Sequence, residues 1–206
     1  VAIQAALLDR VNTGKGTHID MSLFDTQIGV LANQGASYLK TGIIPKRMGN
    51  SHPVIVPYQK FETKDGSIII ACGNDSQFKK LCTALGCDFY KNTKYKTNKD
   101  RVRNRQSLTT LIQELLSSQP KDQILLKLDK AEVPSGAINS VADALAEQQT
   151  VYRKMVYKIN GSSAIRSPIL FDTLSLKYKD LAPKLGQHTE EIRQNLDNET
   201  FWKNKN

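Results

Sequence analysis

With 206 residues, 39% apolar and 24% charged, the chain is long enough for one large core or two modest ones and is neither disordered nor membrane-like in make-up. No apolar run approaches the roughly 20 residues that a spanning helix needs, and Gln4, Asp9 and Arg10 break the first apolar stretch too early for a secretory signal. The net charge of +9 favours an anionic partner: nucleic acid, a phosphorylated cofactor or an acidic lipid surface.

In chain order, Val1, Ile3, Ala5, Leu7, Leu8 and Val11 form a helical apolar stripe that stops at Asn12-Thr13-Gly14. Nothing caps its start, so the chain is expected to be a piece of a longer protein. An extended link over residues 17–19 precedes a helix expected over 21–39, closed by Gly42. Residues 49–58 turn at Gly49 and Asn50 and enter a short apolar run. Glycine and asparagine there permit positive φ, and His52 brings an imidazole suited to proton handling near neutral pH.

A hairpin is predicted over 58–72 around Lys64-Asp65-Gly66. A helix capped by Asp75 or Ser76 then runs to Leu85, stopped by Gly86. Helices follow over about 100–117 and 121–130, then an extended connector over 133–138. A short helix over 140–148 precedes strands over 151–159 and 164–169 flanking Asn160-Gly161. The last helix starts at Thr189, where Glu190 and Glu191 suit its positive end. The pattern is mixed α and β without repeats.

Lys91, Lys94, Lys96, Lys99, Arg101, Arg103 and Arg105 make a basic run opposed only by Asp100, read as a solvated face first and a phosphate contact second. Cys72, Cys82 and Cys87 lack paired CxxC spacing and lie far from His18, His52 and His188. A zinc site is therefore not expected, and reduced thiols fit the cytoplasm, or the mitochondrial matrix in a eukaryote. Three glycosylation triplets, at Asn74, Asn160 and Asn198, carry no weight without secretion. Thr13 to Thr17 is not a P-loop, because Asp9 stands where a glycine is required and Gly16 follows Lys15 in place of Ser or Thr. No GxSxG, HExxH or GxGxxG occurs.

Six blocks in order resemble family III CoA-transferases, the CaiB/BaiF group that includes formyl-CoA transferase. They are Thr13-Gly-Lys-Gly-Thr-His-Ile-Asp-Met-Ser-Leu-Phe-Asp-Thr26, Pro45-Lys-Arg-Met-Gly-Asn-Ser-His-Pro53 and Asp65-Gly-Ser-Ile-Ile-Ile-Ala-Cys-Gly-Asn-Asp-Ser-Gln-Phe78. Thr97-Asn-Lys-Asp-Arg-Val-Arg-Asn-Arg105, Val133-Pro-Ser-Gly-Ala-Ile-Asn139 and Leu185-Gly-Gln-His-Thr-Glu-Glu-Ile192 complete the set. The resemblance implies an α/β fold: a small α+β domain plus part of a Rossmann-like large domain, in a parent that forms an interlocked homodimer. It assigns 1–45 to the large domain, 46–57 to a linker and active-site loop, 58–150 to the small domain, and 151–206 to a return segment with a C-terminal helix.

The same resemblance implies that an aspartate attacks an acyl-CoA thioester, with succinyl-CoA as the suggested donor and a carboxylic acid as acceptor. That nucleophile is expected upstream of Val1, so no catalytic residue is expected in this chain. Gly49, Asn50, Ser51, His52 and Pro53 match the loop that approaches it, without the glycine-rich run of formyl-CoA transferase. No metal and no resident cofactor are implied, coenzyme A thioesters being substrates. Membrane and nucleic-acid partners are not implied. The alternatives are a 2-methylacyl-CoA racemase, whose members tend to carry glutamate where Asp75 sits, and a basic nucleic-acid-binding module.

Overall fold

Helix α1 (Ala2–Thr13) ends where Gly14 takes a left-handed conformation (φ 69°) and returns its N–H to Arg10 O. The computed structural model describes residues 1–174, 176 and 182–198; the last glycosylation triplet and the end of the expected 151–206 segment lie partly outside them. The helix expected over 21–39 is two, α2 (Leu23–Gly29) and α3 (Ala32–Thr41). Ser22 caps α2 by accepting the Asp25 N–H. Gly29 and β-branched Val30 are poor helix formers, and Ala32 at φ 42° turns the chain as α3 begins. None of α1, α2 or α3 has a buried residue: Ile3, Leu8, Leu23, Phe24 and Leu39 are all exposed.

The hairpin forms as expected from β1 (Tyr58–Glu62) and β2 (Ser67–Ala71), with the Thr63 N–H donating to Gly66 O. Helix α4 (Asp75–Leu85) is capped by Asn74, not by Asp75 or Ser76: the Asn74 side chain accepts the Gln77 N–H. An extended asparagine just before the helix reaches N3, whereas Asp75 is already helical. After a short 3₁₀ turn (Phe89–Lys91), the helix expected over 100–117 starts earlier and divides into α5 (Asn98–Arg103) and α6 (Arg105–Leu116). Thr97 and Asp100 form a capping box that sets the earlier start. Asn104 causes the division by donating its side-chain amide to Asp100 O and Lys94 O.

Helix α7 (Lys121–Lys130) matches its expected span. The 133–138 connector contains a strand, β3 (Ser135–Ala137), which pairs antiparallel with β2 through Ile68 opposite Ala137 and gives the sheet order β1-β2-β3. Ser140 and Asp143 box the start of α8 (Val141–Ala146), and α9 (Gln148–Tyr152) occupies the beginning of the strand expected from Val151. Lys154 at φ 51° closes that turn, so β4 (Val156–Ile159) starts late. It pairs with β5 (Ser162–Ile165) across Asn160 and Gly161, both at positive φ as a two-residue hairpin requires. Helix α10 (Thr189–Gln194) carries the expected glutamates in its first turn.

The chain divides into two compact units, one of Val1–Lys60 with Ala71–Leu111 and one of Phe61–Ile70 with Ile112–Asn206. The first buries Val56, Cys72, Phe78, Leu81, Cys82 and Leu108; the second buries Phe61, Ile68, Ile70, Ile112, Leu116, Ile124 and Leu128. Each buried aliphatic or aromatic side chain among them contributes about 1.5–3 kcal/mol. In the second unit Gln113 exchanges two hydrogen bonds with the Glu62 backbone at 2.8 and 2.9 Å, and Asp65 Oδ1 accepts the Lys121 N–H at 2.7 Å. Among the described residues no helix is long and apolar enough to cross a membrane.

The two capping boxes give a pH prediction. Thr97 donates its hydroxyl to Asp100 at 2.6 Å, Ser140 does the same to Asp143 at 2.6 Å, and these bonds hold both carboxyls below the usual range. A carboxyl depressed in the folded state stabilises fully above its unfolded pKa of about 4, and that contribution disappears as pH falls through the folded value. Urea midpoints are therefore expected to drop on acidification below about pH 4, less steeply in an Asp100→Asn, Asp143→Asn double variant. An identical acid limb in that variant would show that the boxes do not contribute.

Candidate active-site loop

The loop expected to matter lies in the first unit, and its residues are brought together. Gly49 adopts φ 61°, and the Ser51 N–H closes a turn onto Met48 O at 3.2 Å. From there the segment runs back along β1: the His52 N–H donates to Tyr58 O at 2.9 Å, Ser51 Oγ to Gln59 Oε1 at 3.0 Å, and the Lys60 N–H to Asn50 Oδ1 at 3.0 Å. The His52 ring stacks on Tyr58 with centroids 5.2 Å apart and planes within 15°. His52 Nδ1 accepts the Val54 N–H at 3.2 Å, which places any ring proton of the neutral form on Nε2. Among the described residues the N–H groups of Gly49 and Asn50 have no hydrogen-bond partner, so the turn presents two exposed backbone donors.

The loop lies beside helix α3 in a cleft of about 500 Å³, with His52 and Pro53 on one side and Leu31, Asn33, Gln34 and Ser37 on the other. That volume falls within the usual range for small-molecule sites. Among the described residues no group of three or more His, Cys, Asp or Glu is placed to hold a metal.

Residues 53–57 are held by Asn98 and by Arg101 and Arg105, two members of the basic run expected on a solvated face. Asn98 clamps the segment from both sides, donating to Val54 O at 2.8 Å and accepting the Val56 N–H at 3.1 Å. Arg101 is fully buried: Nε donates to Val56 O at 2.6 Å, and Nη1 to Tyr95 O at 3.2 Å and Lys96 O at 3.4 Å. Its Nη2 lies 2.8 Å from Asp75 Oδ1, an ion pair without hydrogen-bond alignment, and its guanidinium sits 4.5 Å from the Phe78 ring centroid. Arg105 donates to Pro53 O at 2.9 Å, and burial pulls its pKa below the ordinary arginine value. Two members of the basic run are thus structural ties. Asp75 serves neither as a helix cap nor as a free carboxylate; it pairs with Arg101. The Thr97 to Arg105 block carried the clamp in the sequence, where its charge reads as a solvated face and its order as a resemblance.

The model of CoA-transferase family III matches residues 1–189. The chain is 37% identical over 202 residues to succinate–glutarate CoA-transferase from Agrobacterium fabrum, covering 95% of this chain and 50% of that protein. Human succinyl-CoA:glutarate CoA-transferase is 34% identical over 197 residues, 93% of this chain and 45% of the relative. Among solved structures, a CaiB/BaiF family protein from Brucella suis superposes with a TM-score of 0.80 at 49% identity, covering 95% of this chain and 52% of that one. The chain spans about half the length of the curated relatives it matches. With a match across residues 1–189, nearly the whole chain, the chain belongs to CoA-transferase family III.

Proposed function

We propose that this chain is the portion of a CoA-transferase that carries the Gly49–Pro53 loop, in a protein moving CoA from succinyl-CoA to a carboxylic acid such as glutarate. The observation that carries this reading is the similarity over 95% of the chain to an enzyme named for succinate and glutarate. In the reaction, an aspartate supplied from outside this chain attacks the thioester carbonyl; the CoA thiolate leaves and a mixed anhydride forms. The thiolate then attacks the aspartyl carbonyl and releases the donor acid. The acceptor carboxylate attacks the resulting enzyme thioester, forming a second anhydride that the thiolate opens to the new acyl-CoA. A carboxylate is a weak nucleophile, so the site must position it and exclude water. The exposed Gly49 and Asn50 N–H groups are suited to stabilise a developing oxyanion, and His52 Nε2 to orient an acceptor.

On this reading residues 1–45 are the helical part of the large domain, 46–57 the linker and loop, 58–150 the small domain and 151–206 a return segment whose C-terminal helix packs on the large domain, in a homodimer acting in the cytoplasm or mitochondrial matrix. Coenzyme A thioesters are substrates, with no resident cofactor or metal. The racemase alternative gains nothing from Asp75, which is engaged with Arg101. The nucleic-acid alternative loses Arg101 and Arg105 to internal bonds.

The pure 206-residue chain is expected to show no CoA exchange between succinyl-CoA and glutarate. Measurable turnover would place the nucleophile within this chain and overturn the assignment. Exchange of the substrate α-proton with deuterated solvent would favour the racemase instead.

A further inference from the structure

Helix α4 ends in a Schellman motif. Gly86 is left-handed (φ 72°), its N–H donates to Thr83 O at 3.2 Å, and the Cys87 N–H reaches back to Cys82 O at 2.9 Å. This motif sets the side chains at the two ends of its loop against each other, normally as an apolar contact. Here both ends are cysteines, set against each other by the Cys87 N–H bond to Cys82 O. Their surroundings differ, since Cys82 is buried and Cys87 is partly exposed.

Interaction with the adjacent Cys82 thiol brings the Cys87 pKa down to about 7 against the opposing effect of burial, with help from the Phe89 backbone. The same interaction, with burial, pushes Cys82 up. Burial pushes Cys72 up to about 12, Arg101 opposing. Cys87 is thus the thiol that solvent reaches and the one whose pKa is lowered, with Cys82 buried behind it.

We propose that Cys82 and Cys87 form a thiol–disulfide site for hydroperoxides, with Cys87 as the attacking thiolate and Cys82 as the resolving thiol. The Cys87 sulfur attacks the peroxide O–O bond, giving a sulfenic acid and releasing the other oxygen as alcohol or water. The Cys82 sulfur then displaces hydroxide from that sulfenic sulfur, and its thiol proton leaves with the hydroxide as water. Two electrons pass from the pair of thiols to the peroxide, and a dithiol reductant reverses the change. The bridge would tie the last turn of α4 to the segment entering the 3₁₀ turn.

The test is peptide mapping of the folded 206-residue chain after hydrogen peroxide treatment. Tryptic peptide 81–91 holds both cysteines. It is expected to lose two hydrogens and to resist alkylation until reduced. Cys72→Ser should leave this unchanged. Cys82→Ser should leave a sulfenic acid on Cys87 that dimedone traps, and Cys87→Ser should abolish both products. In the unoxidised wild type, Cys87 alkylation should rise with a midpoint near pH 7, below the roughly 8.5 of an ordinary thiol. Peptide 81–91 doubly alkylated after peroxide, loss of the bridge in Cys72→Ser, or an ordinary Cys87 midpoint would each overturn the proposal.

Discussion

Arg101→Ala is expected to destabilise the first unit by about 3–5 kcal/mol, through unsatisfied carbonyls and a cavity, a large part of the stability of a domain this size. Arg101 has no solvent exposure, and its guanidinium links three backbone carbonyls, the Asp75 carboxylate and the Phe78 ring. Alanine leaves those carbonyls without their donor and opens a cavity over Phe78. The ion pair itself is the smaller share, since the Asp75 side chain is 54% exposed. Asp75→Asn is therefore expected to cost no more than about 1 kcal/mol. Arg101→Lys restores charge but not a planar fork that serves several directions at once, and should recover only part of the loss. Urea unfolding at constant m decides this. Equal losses in Arg101→Ala and Asp75→Asn would mean that charge pairing, not carbonyl satisfaction, holds this arginine in place.

The second large effect concerns the loop itself. Asn98→Ala removes both bonds of the clamp on residues 54 and 56 and should cost about 1–3 kcal/mol, concentrated locally. Hydrogen exchange at Val56 should accelerate about tenfold or more, while Ile68 and Ile70 in the other unit keep their protection. Asn98→Asp is no rescue: it retains the acceptor for the Val56 N–H but sets a carboxylate oxygen against Val54 O. Unchanged exchange at Val56 in both variants would show that the loop keeps its shape without Asn98.

Much of the fold was legible because its signals are local. Gly14, Gly42 and Gly86 end helices where positive φ is needed, Asp65-Gly66 and Asn160-Gly161 turn hairpins, and Ser140 opens a helix. The failures share a longer reach. Val133 to Ile138 becomes part of the sheet only because residues 68–70 lie alongside 135–137. Arg101 looks like one more surface cation until Val56 and Asp75 converge on it from separate parts of the chain. The Cys82–Cys87 spacing is silent unless Gly86 turns back. Periodicity also carries smoothly through Gly29–Val30 and through Asn104, where the backbone breaks. As for the site, Gly49 to Pro53 stood out by turn composition and by resemblance, whereas the residues that hold the following segment were hidden in a run of charge.

We propose that these residues form one portion of a CoA-transferase whose nucleophile lies outside this chain. The most direct measurement takes the protein from its native source, determines its intact mass, and assays CoA exchange from succinyl-CoA to a panel of carboxylates that includes glutarate. The expected result is a mass well above the 23.0 kDa of this chain, together with CoA exchange. A native mass of 23.0 kDa with no exchange for any acid would contradict the claim.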